Sequence, residues 1–395
     1  MKHAGGWAVG VAAWLVLSAG CGMKEPVRQA PAQRFQGEQA PAVRARDVLP
    51  ADILRGSNYT IDDYVPVVEY QYMFTLRTRF GTIPALGKNM LELRLQEMQA
   101  IKRAQRMGDD PHLVNGVCQQ FERTGDGLLI LLTDPGGALK RAPKGFGRMI
   151  TGKLDAADRR AGSEARRRLA TELGCDPETS NPVLKKLLDE MAFSQEAGKL
   201  LAMPMQIVPG VDVLQMTAEI KEVVASMPPS EINKRLEMDL INSGASESAA
   251  DAFCDNMSFT TTQRLLFVQQ LRKLRGVDGL AAAIECAAEA TNEAEGLSAI
   301  QELRMLSELH HRKPIKKLEN VGLPLATLET GDCVVVVAAD HIANTQELVE
   351  GVAAYRQDYS ETNSVFVTSG TLSPAARKTF QRTGIRVMEN GALDW

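Results

Sequence analysis

Tryptophan and histidine are scarce in this sequence, with three and five copies in 395 residues. Trp7 and Trp14 fall within the first fourteen residues, and Trp395 is the last. No His-x-x-x-His spacing occurs. His310 and His311 are adjacent at the end of a predicted helix and point to different faces, so no metal site is expected. The serine-enzyme patterns G-x-S-x-G and S-x-x-K are missing too. Six cysteines, at 21, 118, 175, 254, 286 and 333, contain no C-x-x-C, which removes the common redox and zinc-ribbon motifs. The apolar surroundings of Cys254, Cys286 and Cys333 mark them as small buried hydrophobes rather than a disulfide framework. Neither sign of charge dominates, with 45 basic and 49 acidic residues for a net of -4. No apolar run approaches the ~20 residues of a membrane-spanning helix. With 44% hydrophobic and 24% charged residues, a disordered, collagen-like or polytopic membrane chain is excluded. The length suits two or three domains of about 100–200 residues each. No cofactor is implied.

What is present begins with an address. Lys2 gives a positive start, residues 7–17 (WAVGVAAWLVL) form an uncharged apolar stretch, and Ser18, Ala19 and Gly20 lead into Cys21. This is the layout of an export signal. Its ending, LSAGC, resembles the lipobox of bacterial lipoproteins, although Leu17 stands four residues before Cys21 where the common pattern has it three before. The resemblance implies a signal peptide over 1–20 and acylation of Cys21, palmitate included, so that two or more acyl chains hold the protein to a membrane. Gly22, in place of Asp, implies by the same resemblance an outer-membrane location facing the periplasm. The other reading is an ordinary secretory signal with Cys21 left as a thiol. Residues 22–50, rich in Pro, Ala, Gln and Arg, predict a disordered tether within 21–56. At ~3.3 Å per residue it would reach at most about 100 Å.

Alternation from Val68 to Arg77 predicts one half-buried strand, with Val68, Tyr70, Tyr72, Phe74 and Leu76 inward and Gly81 turning the chain back into Thr82–Leu86. Leu91, Leu95, Met98, Ile101 and Ala104 then line one side of a helix. Helical periodicity recurs over 163–173, 182–202, 212–226, 230–242, 246–256, 261–275, 279–290 and 293–311. Gly174, Gly244 and Gly276 stand where C-terminal caps belong. The last 75 residues change character. Buried-strand patterns at 333–339, 364–369 and 385–389 alternate with helices, one capped by Asn344 and one begun by Ser373-Pro374, while 323–328 adds an antiparallel strand. The fold class expected is α+β and predominantly helical, with an N-terminal β-hairpin, a helical middle and a small C-terminal α/β unit with a parallel sheet. The hairpin and helical body occupy 57–318 and the β-α-β-α-β unit 319–395.

Ligands of open α/β sheets bind beyond the carboxyl ends of the strands. Those ends carry Asp340, His341, Ser369 and Glu389, candidates for acid–base or nucleophilic work, although such residues also serve as strand and helix terminators. Residues 147–154 (GRMITGKL) come close to a phosphate loop, but Leu154 replaces the magnesium-binding hydroxyl and no strand pattern precedes Gly147. The match is fortuitous. Between Lys140 and Arg168 ten basic residues face three acids, a net of +7, while the rest of the chain after the leader sums to -12. Lys140, Arg141, Lys144, Arg148, Lys153, Arg166, Arg167 and Arg168 are therefore candidates for contact with anionic lipid or an acidic envelope protein. Nucleic acid is not expected as a partner of an exported chain.

Residues 131–149 (LLTDPGGALKRAPKGFGRM) and 167–193 (RRLATELGCDPETSNPVLKKLLDEMAF) resemble segments of uncharacterised exported proteins of proteobacteria. That resemblance implies no activity and no catalytic residues. The sequence thus leads to the expectation of a membrane-anchored envelope lipoprotein with a non-catalytic binding or assembly role. The alternative is a tethered hydrolase or ligand-binding protein using the C-terminal strand ends.

Overall fold

The computed structural model describes residues 38, 41–107, 164–193 and 216–393. The export signal, Cys21, Cys118, the stretch Lys140–Lys153 and Trp395 lie outside the described residues.

The chain opens with β1 (Ala42–Arg44), a short α1 (Ala45–Val48), β2 (Tyr59–Ile61), β3 (Tyr64–Val68), β4 (Gln71–Thr78) and β5 (Gly81–Leu86). Central β4 pairs antiparallel with β5 along one edge, and with β3 and β2 along the other, while β1 extends β3. Two expectations change here. The predicted strand Val68–Arg77 is broken after Val68, because Glu69 and Tyr70 adopt positive φ (49° and 66°) and form a two-residue hairpin turn. Residues 42–48, assigned by composition to the tether, are ordered instead, since β1 finds an unpaired edge of β3 and Ala45 is buried. Consecutive burial of Tyr72, Met73, Phe74, Thr75 and Leu76 means that both faces of β4 are covered.

Gly87, at φ +87°, turns the chain from β5 into α2 (Lys88–Met107). All five residues of its predicted stripe, Leu91 to Ala104, are buried. Eight further helices form the middle: α3 (Glu164–Leu173), α4 (Pro182–Phe193), α5 (Ala218–Ser226), α6 (Pro229–Asn242), α7 (Glu247–Asp255), α8 (Thr261–Arg272), α9 (Ala281–Ala288) and α10 (Glu293–Arg312). Helix α5 begins at Ala218 rather than at 212, because Thr217 caps it, and the predicted extension of α4 to 202 lies outside the described residues; the other ends fall within three residues of the predicted spans. Thr217, Ser246, Thr260 and Asn292 cap α5, α7, α8 and α10, each side chain accepting the N–H three residues on. Gly174, Gly244 and Gly276 take the positive φ expected after a helix. Helix α10 is the axis of the assembly, touching α8, α2, α9 and the C-terminal sheet.

That sheet contains β6 (Ile315–Asn320), β7 (Pro324–Leu328), β8 (Cys333–Val337), β10 (Ser364–Thr368) and β12 (Arg386–Met388), in the order β12-β10-β8-β7-β6. Strands β8, β10 and β12 are parallel; β7 and β6 add antiparallel. The minor strands β9 (His341–Ile342) and β11 (Thr371–Leu372) pair beyond the strand ends. Helices α11 (Gln346–Asp358) and α12 (Pro374–Arg382) make the crossovers. Stepping in one direction with crossovers of one hand puts both helices on the same face. Cys333, Val335, Val337 and Phe366 pack there with Leu348, Val352 and Phe380, whereas Val334, Val336, Val365 and Val367 join the core of the helical body. This two-sided burial is why Cys333–Val337 reads as an unbroken apolar run. The expected division at 318/319 falls inside β6, because its Ile315 and Leu318 face the body core while its backbone pairs with β7. Thr345, not Asn344, caps α11, since the Asn344 backbone is engaged by Glu38.

Phe253, Phe259 and Phe267 form an aromatic cluster at the junction of α7 and α8, with centroids 4.9 Å and 4.7 Å from Phe253 to its two neighbours. Phe253→Ala should cost about 3–5 kcal/mol by opening a cavity there. Urea unfolding checks this: the midpoint should fall while the slope stays unchanged.

Candidate functional site

Asp340 follows β8 and is 5% exposed. Its Oδ2 accepts the backbone N–H groups of Tyr72 (2.9 Å) and Lys88 (3.0 Å), the first on β4 and the second opening α2. The N–H groups of Asp340 and His341 both donate to the carbonyl of Tyr70, at 3.0 Å each. Gln71 Nε2 donates to Ala338 O (2.8 Å), and the Tyr70 hydroxyl meets Thr345 Oγ1 (2.7 Å). The Glu69–Tyr70 turn is thereby plugged into the end of the C-terminal sheet. Burial pushes the Asp340 carboxyl up to about 6, while the two backbone donors and the Lys88 charge work against that rise.

The other candidates at this edge have their own attachments. His341 Nδ1 contacts Thr371 Oγ1 at 3.2 Å, and its ring stacks on Tyr72 with centroids 6.4 Å apart. Burial lowers the His341 pKa; the Glu38 and Glu389 charges oppose this. The Ser369 hydroxyl donates to Ala339 O at 3.1 Å. Glu389 accepts from Arg377 (2.8 Å and 2.6 Å) and from the Leu372 N–H (3.0 Å). Among the described residues, no hydrogen bond joins any two of Asp340, His341, Ser369 and Glu389. A nucleophile–base pair needs that bond. Gly370 closes the strand ends tightly: a Cβ there would sit 2.1 Å from the carbonyl oxygen of Asp340.

Glu38 also reaches this edge. It accepts the Ser373 hydroxyl and the Asn344 N–H (2.8 Å), and the Ser373 hydroxyl foremost lowers its pKa. Composition put this residue in the tether, and one isolated Glu among Pro, Gln and Ala carries no signal of such a contact.

A second polar assembly lies at the centre of the body. Arg94 on α2 donates to both Glu97 oxygens (3.1 Å and 2.9 Å) and to Ser180 Oγ (2.8 Å), and also pairs with Glu293 at 3.5 Å. Glu97 further accepts from Thr179 and from Asn181 Nδ2 (3.0 Å); Glu293 accepts from Ser180 and from Gln263 Nε2 (2.9 Å). Asp176 accepts the Thr260 hydroxyl (2.5 Å) and the Glu178 N–H (2.8 Å), and Glu178 accepts the Thr261 N–H (2.6 Å) and hydroxyl (2.8 Å) at the start of α8. Burial opposes the Arg94 charge, but Glu97 and Glu293 outweigh it and keep that pKa raised. Burial, followed by the Glu178 charge, pushes Asp176 up to about 7. The sequence did carry a signal: Arg94 and Glu97 fall on the same helical face as Leu91, Leu95 and Met98. The segment 174–181 (GCDPETSN) supplies most of the partners.

The basic candidates divide. Arg166 and Arg167 are buried rather than available to a surface, because the apolar face of α3 carries them inward, where Arg166 donates to Asp189. Arg168 is exposed and paired with Glu164. Lys140, Arg141, Lys144, Arg148 and Lys153 lie outside the described residues. Cys175, Cys254, Cys286 and Cys333 are free thiols, and among the described residues no cluster of His, Cys, Asp and Glu is placed to hold a metal. Among the same residues no helix is long and apolar enough to cross a membrane.

Asp340→Ala would strand two buried N–H groups at about 1–3 kcal/mol each. Asp340→Asn, which keeps an acceptor oxygen, should lose less stability, and chemical denaturation of the pair checks this order. The raised acids also fix a pH dependence. Asp340 and Asp176, near 6 and 7, hold protons in the folded protein that the unfolded chain has released above about 4. Their contribution to stability is therefore largest at acid pH and is lost as pH rises from about 4 to 7. In melting curves across that range, Asp176→Asn should flatten the fall.

No known family model matches the chain, and neither a curated protein nor a solved structure does.

Proposed function

We propose that the protein is a lipid-tethered component of the bacterial cell envelope that binds or assembles with another envelope component rather than catalysing a reaction. One observation supports this reading above the others. The edge at which a parallel α/β unit receives its ligands is filled by the chain's own Glu69–Tyr70 turn, with Asp340 accepting the Tyr72 and Lys88 amides. Ser369 and Glu389 are likewise engaged in contacts that hold strand ends and helix starts together. In this reading Cys21 carries the acyl anchor and the basic stretch from Lys140 to Lys153 contacts anionic headgroups or an acidic partner.

Cross-linking in native membranes, followed by capture of the protein, should recover a defined envelope partner. Cys21→Ala should abolish incorporation of labelled palmitate and shift the protein from the membrane to the soluble fraction. The combined change His341→Ala and Ser369→Ala should leave partner capture intact. A folded double variant that has lost its cellular role would instead favour chemistry at the strand ends.

A further inference from the structure

The Glu38 carboxylate is seated on the C-terminal unit by residues more than 300 positions away. It accepts the Asn344 N–H (2.8 Å) and the Ser373 hydroxyl, and the Glu38 N–H donates to Asn344 O at 3.2 Å. Glu38 itself is exposed, so these bonds are made in competition with water.

The groups that receive it are held in place by bonds of their own. Ser373 is 5% exposed; its N–H donates to Ile342 O (2.9 Å), and its Oγ accepts the Ala376 N–H (3.0 Å) as the cap of α12. Asn344 follows the buried pair Ile342 and Ala343, and its Oδ1 accepts the Thr379 hydroxyl of α12 at 2.8 Å. The Ser373 hydroxyl, the Asn344 N–H and the Asn344 carbonyl therefore converge on one place whether or not Glu38 fills it. A helix start attracts anions of any kind. Here a carboxylate is seated on a buried hydroxyl, and a backbone carbonyl is offered beside it to a main-chain N–H. That pairing reads one acidic residue of an extended chain. Inorganic phosphate supplies the charge but not the N–H. The Ser373 hydroxyl foremost holds the Glu38 carboxyl below its usual pKa; burial opposes this, and the Asn344 N–H and the His341 charge add to it.

We propose that the starts of α11 and α12 form a receptor for a glutamate residue of an extended acidic peptide, filled in the unbound protein by the chain's own Glu38 and opened to a partner's segment when Glu38 is displaced. An occupant carried on the same chain acts at an effective concentration on the order of millimolar. A partner segment displaces it only by adding contacts on either side of its glutamate, so Glu38 sets a threshold for selectivity. The natural occupant rests on the binding role proposed above; the receptor does not.

Fluorine NMR relaxation of a labelled peptide covering residues 33–41 (QRFQGEQAP), mixed with the full chain in solution, tests the exchange. The Glu38→Ala chain should bind this peptide with a Kd on the order of 1 mM, and the wild-type chain about tenfold more weakly, because its own Glu38 holds the place. The same peptide carrying Glu38→Gln should lose about tenfold in affinity for the variant. Ser373→Asp, added to Glu38→Ala, keeps a capping acceptor for α12 but replaces the donor with a negative charge, and should abolish binding with an unchanged circular dichroism spectrum. If that double variant does not fold, competition by inorganic phosphate carries the comparison: at the peptide's own concentration it should displace nothing. Absence of binding to the folded Glu38→Ala chain would overturn the proposal. Equal binding to the wild-type chain, equal binding of the Gln peptide, or displacement by phosphate would do the same. Failure to capture a partner from membranes would alter none of these results and bears on the envelope role alone.

Discussion

At the end of β8 a buried carboxyl group sits between two backbone amides that belong to the opposite end of the sequence. Asp340 Oδ2 accepts from Tyr72 and from Lys88, 268 and 252 residues away. Much of the molecule is positioned through that oxygen. It fixes the Glu69–Tyr70 turn, whose positive φ values place non-glycine residues in a region that costs of order 1–3 kcal/mol each. Docking offsets that strain through the Tyr70 carbonyl and hydroxyl. The same oxygen also holds the first residue of α2, and α2 carries Arg94 to the centre of the body. The strand-end contact and the central ionic cluster are thus both carried by the first half of one helix.

Both polar assemblies bury acid in excess, but they are solved differently. Asp340 is matched by backbone donors, which cannot be lost to a change of side chain at positions 72 or 88. The central cluster depends on side chains: Arg94 is shared between Glu97 and Glu293, while hydroxyls of Thr179, Ser180, Thr260 and Thr261 satisfy the remaining oxygens. Such a cluster adds little net stability over apolar packing of the same volume, because desolvation consumes most of the Coulombic gain. Its effect is geometric. Donors and acceptors meet only when α2, the 174–181 segment and the starts of α8 and α10 share one arrangement.

Much of the architecture was legible from period and caps. The helix ends at Gly174, Gly244 and Gly276, the stripe from Leu91 to Ala104 and the apolar run at Cys333–Val337 all express local rules that tertiary contacts do not override. The errors share a different cause. The Glu69–Tyr70 turn lacks the Gly or Asn that normally announces positive φ, because long-range bonds rather than local propensity stabilise it. β1 and Glu38 were hidden in tether-like composition, since an edge strand and a single clip need few apolar residues. At the strand ends, Asp340, His341, Ser369 and Glu389 were correctly located at one sheet edge. The Asp340 carboxyl bonds to residues more than 250 positions distant, whereas the His341, Ser369 and Glu389 side chains bond to neighbours within the C-terminal unit, and strand-end spacing supplies neither set of partners.

The hairpin at residues 64–78 has a consequence for the order in which the molecule is completed. Synthesis delivers it early, yet its turn has no finished partner until residues 338–345 have emerged and β8 has formed. Until then Tyr70 and Gln71 hold unmatched polar groups, and the start of α2 lacks its anchoring oxygen. The first-made sheet is consequently the last to be locked, and a chain truncated before residue 340 retains strands β2 to β5 without the contact that fixes their turn. Loop closure over more than 250 residues is slow as well as entropically costly. Any chain that lacks residue 340 therefore leaves the Glu69–Tyr70 turn and the start of α2 without the oxygen that joins them.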